Sequence, residues 1–192
     1  MVLAGKAAIT GLECRPVCLV IYCKPVQIDN LGPEVFIREI RASDDAAMAS
    51  IIRTSLEDFG AVKPGTVYFD ESTDRLHDVF MAAKSHYYVA LFDKEVVGGA
   101  GIFPTEGLPP NTCELVKMYV SSDARGKGLG KILLEKCLEA ASNEGFSQVY
   151  IETMPELTRA IAMYHKYGFV FIPAAMGNSG HSGCDLFMMK HL

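Results

Sequence analysis

The sequence predicts an α/β fold of the α+β kind, a mixed sheet with helices on both faces. Three observations carry it. Short β-prone runs and amphipathic helical runs follow one another from Val35 onward in the order βαα, a β meander, then αβαββ. Two strands in the middle of the chain are joined by a two-residue turn, the mark of a hairpin. A strand, a glycine loop and a helix stand in direct succession over Cys113–Ala141, CELVKMYVSSDARGKGLGKILLEKCLEAA.

Val35–Arg41 alternates apolar and polar residues and reads as a strand. Ser43, Asp44 and Asp45 are N-cap candidates for a helix to about Asp58, with Met48, Ile51, Ile52, Ser55 and Leu56 on one side. Pro64-Gly65 marks a loop. Thr73–Ser85 reads as a second helix, with Leu76, Val79 and Phe80 inward. Tyr87–Phe92 and Glu95–Phe103 form the hairpin about Asp93-Lys94. Gly98, Gly99 and Gly101 weaken its second strand and imply a bulge or a close approach. Cys113–Ser121 is a strand, and from Leu129 the apolar residues Leu129, Ile132, Leu133, Cys137, Ala140 and Ala141 recur at helical spacing. Gly145 stops that helix. Ser147–Glu152 is a strand, and Pro155 opens a helix that runs to about Tyr167 and ends at Gly168. Phe169–Ile172 and Cys184–Met189 complete the strands.

Length and composition bound the function. At 192 residues the chain can bury one sizeable core, and 49% hydrophobic with 21% charged residues is a globular balance. The formal net charge of −5 argues against nucleic acid as a partner. Residues 1–34 read as an appendage or linker, and residues 35–192 as the functional domain. Val17–Cys23 is far too short to span a bilayer, and Glu13 and Arg15 interrupt any signal-peptide pattern, so no membrane association is expected. Cys14, Cys18, Cys23, Cys113, Cys137 and Cys184 form no C-x-x-C pair, and the five histidines form no H-E-x-x-H. A reduced, cytoplasmic protein without a metal site is the expectation.

The glycine loop is the chemical signal. Gly126, Gly128 and Gly130 precede a helix N-terminus, where backbone N–H groups lack partners and the dipole is positive. Arg125, Lys127 and Lys131 add charge, which favours a phosphate or pyrophosphate site over a plain turn with solvated lysines. A Walker loop needs Ser or Thr after Gly-Lys, and a Rossmann loop needs G-x-G-x-x-G; neither spacing is present.

The pattern that fits is R-x-x-G-x-G, at Arg125, Gly128 and Gly130. It resembles motif A of the GNAT N-acetyltransferase superfamily, as do the strand ELVKMYV before it and the helix after it. Ala160–Phe169, AIAMYHKYGF, resembles that superfamily's motif B, A-x-x-x-Y-x-K-x-G-F. The likeness covers Val35 to Leu192. It implies a mostly antiparallel sheet whose two central strands splay apart to hold coenzyme A, with acetyl-CoA as the acyl donor and cosubstrate. By the same resemblance the main chain of Met118, Tyr119 and Val120 pairs with the pantetheine. The N–H groups of Arg125, Gly126, Lys127, Gly128, Leu129 and Gly130 meet the pyrophosphate, with Lys131 beside them. Tyr164, at the motif's tyrosine, would serve the leaving thiolate. Glu114 stands where histone-type members carry a glutamate base, although many members use a water chain and a surface carboxylate is an equal reading here.

The resemblance implies an N-acetyltransferase acting by direct attack of a primary amine, of a small molecule or a peptide. A lysine-like amine titrates near pH 10.4, so a base or desolvation must free its lone pair. Candidates for the acceptor site are Glu57, Phe59, Tyr68, Asn178 and His181, the last two being ordinary turn residues by default. The competing reading is a non-catalytic acyl-CoA sensor, which has no use for Tyr164. The oligomeric state stays open, a homodimer among the options.

Overall fold

The structure, a computed structural model, describes residues 35–192. The appendage expected at 1–34 lies outside the described residues. Seven strands form one sheet: β1 Val35–Glu39, β2 His86–Phe92, β3 Glu95–Phe103, β4 Thr112–Val120, β5 Gln148–Thr153, β6 Val170–Ile172 and β7 Leu186–His191, in the order β1-β2-β3-β4-β5-β7-β6. Every pairing is antiparallel except β4 with β5. Four α-helices join them: α1 Asp45–Asp58, α2 Leu76–Val79, α3 Leu129–Asn143 and α4 Thr158–Lys166.

The helices divide between the two faces of the sheet. Leu133, Leu134, Cys137 and Ala141 of α3 pack with Tyr164 of α4 in one apolar cluster. Met48, Ile52 and Leu56 of α1 pack with Leu76 and Tyr87 in the other. Both clusters follow the apolar spacing of their helices, which turns one stripe inward. Cys113 and Cys137 are buried among core residues, as their strand and helix positions imply.

The centre of the sheet is irregular in two places, and both shape the site. β4 and β5 pair only over Thr112↔Gln148, Cys113↔Val149 and Glu114↔Tyr150. Beyond that Leu115–Val120 has no partner in β5, and the sheet opens. On the other side of β4, Gly99 faces Tyr119 while Gly101 faces Val116, so Lys117 and Met118 together oppose Ala100. Lys117 takes φ +49° at this bulge. The glycines of β3 make it possible. A Cβ at Gly99 or Gly101 would lie 2.6 Å from the Tyr87 ring, whose hydroxyl donates to the Lys117 carbonyl at 2.8 Å. The close approach is therefore on β3, and the extra residues beside it are on β4. The β2–β3 turn has φ +48° at Asp93 and +72° at Lys94, as a type I′ hairpin requires.

Two helices are shorter than their sequences suggest. The second begins as a 3₁₀ turn, Glu71–Arg75, and α2 is a single turn. Ser85 Oγ stands 2.6 Å from the Ala82 carbonyl and 3.2 Å from that of Phe80, satisfying the end of the segment, and Lys84 takes φ +60°. α4 starts at Thr158 because Pro155 serves a turn instead of a helix start. Leu157 N–H donates to Met154 O at 3.0 Å, with proline at the second position of that turn.

Candidate active site

The opening between β4 and β5 is a cleft of ≈ 290 Å³, lined by β4 from Glu114 onward, by Glu152 and Met154, by the glycine loop, and by Tyr164 and His181. Its two ends are built differently.

At one end stands the N-terminus of α3. Gly126 and Gly128 take φ +81° and +82°, which a side chain would resist, and Gly128 is the N-cap. Ile132 N–H makes the first helical bond, to Gly128 O at 3.2 Å. Among the described residues, no main-chain acceptor meets the N–H groups of Gly126, Lys127, Gly128, Leu129, Gly130 or Lys131. Six adjacent donors at a helix N-terminus suit an anion with several oxygens. The side chains expected to add charge are engaged elsewhere. Arg125 Nε donates to Val120 O at 3.0 Å, its Nη1 meets Asp58 at 2.9 Å and its Nη2 meets Ser55 Oγ at 3.0 Å, with the guanidinium over the Phe59 ring. Its own N–H bonds Ser121 O at 3.1 Å. Lys127 lies over Phe92, and Lys131 lies 3.8 Å from Glu135. The expected basic cluster is thus a clamp between the loop and α1 together with two exposed lysines; the main chain is what faces the cleft.

Ser121 N–H donates to Val97 O, so by strand alternation the main chain of Tyr119 faces β3 while that of Met118 and Val120 faces the opening. Tyr164 is buried beneath, 5% exposed, its hydroxyl 3.8 Å from Met118 Sδ. Burial raises its pKa well above the ordinary tyrosine range.

The other end is made of side chains. Glu114 is 3% exposed and accepts from Thr105 Oγ1 at 2.5 Å. Burial, assisted by the nearby Glu152, pushes its pKa up to about 7. Its position at the last β4–β5 pair puts it where the strands part, not on the surface. Glu152, two residues further along β5, accepts from Tyr150 Oη at 2.9 Å and Ser179 Oγ at 2.7 Å. His181 completes a trio: one polar atom each of Glu114, Glu152 and His181 lie within 4.8 Å of one another. Beneath them Lys117, forced inward by the bulge, bonds Asp70 at 2.8 Å and Thr73 at 3.2 Å. Burial lowers the lysine's pKa, and Asp70, held by His181, Lys117 and Ser72, lies well below the usual carboxylate range. Tyr68 and Glu57 hydrogen-bond each other at 2.7 Å in the open. Asn178 donates its N–H to Glu106 O at 2.7 Å, as a loop tie. Of the five acceptor candidates, Phe59 and His181 line the cleft. Sequence reasoning passed over Glu152, Lys117 and Asp70. The first could have been found as a carboxylate on the same face of its strand as Tyr150, but nothing local marks the other two.

The chain matches known proteins. Residues 48–169 fit the family model for the acetyltransferase (GNAT) family. The chain belongs to that family. An uncharacterized N-acetyltransferase, YjgM of Escherichia coli, is 36% identical over 86% of this chain and 100% of its own length. Human N-acetyltransferase 8 is 30% identical over 58% of this chain and 52% of its own length. Among solved structures, a GNAT acetyltransferase from Staphylococcus aureus superposes with a TM-score of 0.72 at 19% identity, over 82% of this chain and 99% of that one. The PaiA N-acetyltransferase of Thermoplasma acidophilum, in complex with coenzyme A, does so at 0.66 and 17%, over 83% and 99%. This GNAT chain is thereby an N-acetyltransferase, with the expected mixed, mostly antiparallel sheet and its central splay. No helix among the described residues is long and apolar enough to cross a membrane.

Proposed function

We propose that this GNAT enzyme transfers the acetyl group of acetyl-CoA to a primary amine, of a small molecule or a peptide, by direct attack in the β4–β5 cleft. The observation that carries the reading is the polarity of that cleft. Six unpartnered N–H groups stand at one end, a buried carboxylate at the other, and the Tyr164 hydroxyl between the flanking helices.

In this reading the N–H groups of Gly126 to Lys131 hold the pyrophosphate, and the main chain of Met118 and Val120 lines the pantetheine. The amine nitrogen attacks the thioester carbonyl carbon, the C–S bond breaks, and the amide forms. The amine proton goes to Glu114, whose raised pKa suits a base working near neutrality. The thiolate of CoA takes a hydrogen bond from Tyr164. Free tyrosine already holds its proton about 2 kcal/mol more tightly than a thiol. Burial widens that gap, so Tyr164 acts as a hydrogen-bond donor before any full transfer.

The test is thiol release from acetyl-CoA across a panel of primary amines, with the amide identified by mass. Release that depends on the amine supports the reading. CoA binding without release for any amine would instead mark an acyl-CoA sensor, a role in which Tyr164 and Glu114 have no use.

A further inference from the structure

The trio at the acceptor end has unused capacity. Glu114 is more than nine-tenths buried, and Thr105 occupies only one of its oxygens, Oε2. Oε1 has no hydrogen-bond partner among the described residues, and the residue lines the cleft. Glu152 is anchored from outside by Tyr150 and Ser179. His181 is fixed by its N–H to Ser179 Oγ at 3.1 Å and by Nε2 at 3.5 Å from Asp70. In the neutral tautomer whose Nε2–H donates to Asp70, Nδ1 is an acceptor. Gly183 N–H donates to Gly65 O at 2.9 Å, tying the loop that carries His181 to the loop before Asp70. The three groups are thus held in place by neighbours that leave acceptor capacity over.

Their spacing suits an ammonium group. An ammonium donating three hydrogen bonds of about 2.8 Å at tetrahedral angles sets its acceptors about 4.6 Å apart. The trio's polar atoms lie within 4.8 Å of one another. Lys117, the lysine that lines this end, is already matched with Asp70, and the trio itself holds no lysine or arginine; Arg159 lines the cleft from the start of α4, outside the trio. A carboxylate carried beside the amine would therefore meet two glutamates and no free partner in the trio. A second cavity adjoins the cleft at Thr66 and His181 and is also lined by Phe69, 60% exposed, and by Gly180. Asp70 and Ser179 line it as well, so it offers room for the rest of the acceptor and one apolar wall, the Phe69 ring.

We propose that Glu114, Glu152 and His181 form the seat of the acceptor's ammonium group, and that the acceptor is a primary amine with an apolar body and no carboxylate on the adjoining carbon. The proposal rests on the acetyl-transfer reading above.

The experiment is calorimetric titration of the CoA-loaded full chain with phenethylamine, butylamine and phenylalanine. Phenethylamine is expected to bind, and phenylalanine, which adds only the carboxylate, to bind at least tenfold more weakly. Glu152→Gln should weaken phenethylamine at least tenfold with CoA affinity unchanged, and Glu152→Asp should recover part of the loss. No binding by either amine, equal binding of phenylalanine, or an unaffected Glu152→Gln variant overturns the proposal. So does zinc ion binding more tightly than the amines and being lost in Glu152→Gln, which would make the trio a metal site. Failure of the acetyl-transfer reading looks different: CoA does not bind, or no amine releases thiol. Failure of this proposal leaves both intact.

Discussion

The two ends of the cleft solve their problems with different parts of the chain. The donor end uses main chain. Its donors are consecutive N–H groups from Gly126 to Lys131, aimed by two left-handed glycines and a helix start, and its nearest side chains are turned to other work. The acceptor end uses side chains. Glu114 and Lys117 of β4, Glu152 of β5, and Asp70 and His181 of two loops meet because β4 bulges and parts from β5. A site made of contiguous backbone tolerates changes of side chain but not of conformation. A site made of converging side chains does the reverse.

The largest effect is expected at Gly128. A Cβ at this position meets no neighbouring atom within 4 Å, so Gly128→Glu should fold, at a cost of about 1–2 kcal/mol for a left-handed non-glycine residue. The new carboxylate faces the anion site with like charge, and calorimetry should show CoA binding lost. Binding at parental affinity would mean that the pyrophosphate lies elsewhere. Tyr164→Phe comes next. It keeps the ring beside Phe169 and removes only the hydroxyl near Met118. Steady-state kinetics should show kcat lower by about 10- to 1,000-fold with CoA affinity little changed. An unaltered kcat, with chemistry rate-limiting, would make Tyr164 a core residue.

The same contrast explains what could be read in the sequence. The donor end is a run of neighbours, Arg125 to Lys131, between a strand and a helix with the right periodicity, and the architecture from Val35 follows from such local patterns. The acceptor end was legible only in pieces. Glu114 and His181 were visible as candidates, yet nothing local singled out Lys117. Only the bulge beside Ala100 turns it inward onto Asp70, and that bulge depends on Tyr87 lying over Gly99 and Gly101. A pairing between residues so far apart in sequence leaves no local period. The side-chain partners of Arg125 were hidden for a related reason: Asp58 and Ser55 sit on α1, far away in the chain. Pro155, which reads as a helix start, serves instead the turn closed by Leu157 N–H on Met154 O, and α4 begins at Thr158.

Glu114→Gln tests the acceptor end through pH. The carboxyl titrates near 7 in the folded protein against 4.5 ordinarily, because burial disfavours its charge. The folded state therefore binds more protons than the unfolded one between those values, and stability falls as pH rises through that window, by up to about 3 kcal/mol. Activity runs the other way, since the base form appears only as pH rises past about 7. The parent's kcat/KM should rise through that region. In Glu114→Gln the inflection should vanish, with a loss of about tenfold at neutral pH that shrinks at high pH as free amine becomes abundant. Denaturant titration should show the variant's stability flat where the parent's declines. A uniform loss at every pH would assign Glu114 to holding the amine's charge without taking its proton.

The smallest effect is expected where the sequence looked most suggestive, at Arg125. Were its guanidinium a phosphate ligand, Arg125→Lys would keep a charge at the site, and removal of that charge in Arg125→Ala would weaken CoA by well over tenfold. The structure gives the side chain a different task. It joins the Val120 carbonyl, Asp58 and Ser55 and stacks on Phe59, fastening the end of β4 and the loop to α1. Lysine cannot reproduce a planar fork with three partners, so Arg125→Lys should behave nearly as Arg125→Ala does. Both should lower stability in denaturant titration by about 1–2 kcal/mol, the scale of hydrogen bonds to a charged group partly open to solvent. CoA affinity should fall by less than tenfold in each, and by the same factor at low and high salt, because the loss comes from a loosened loop and not from a missing charge. A lysine variant that binds CoA like the parent beside an alanine variant that does not, with stability equal in the two, would return Arg125 to the anion site and erase the distinction between main-chain and side-chain ends.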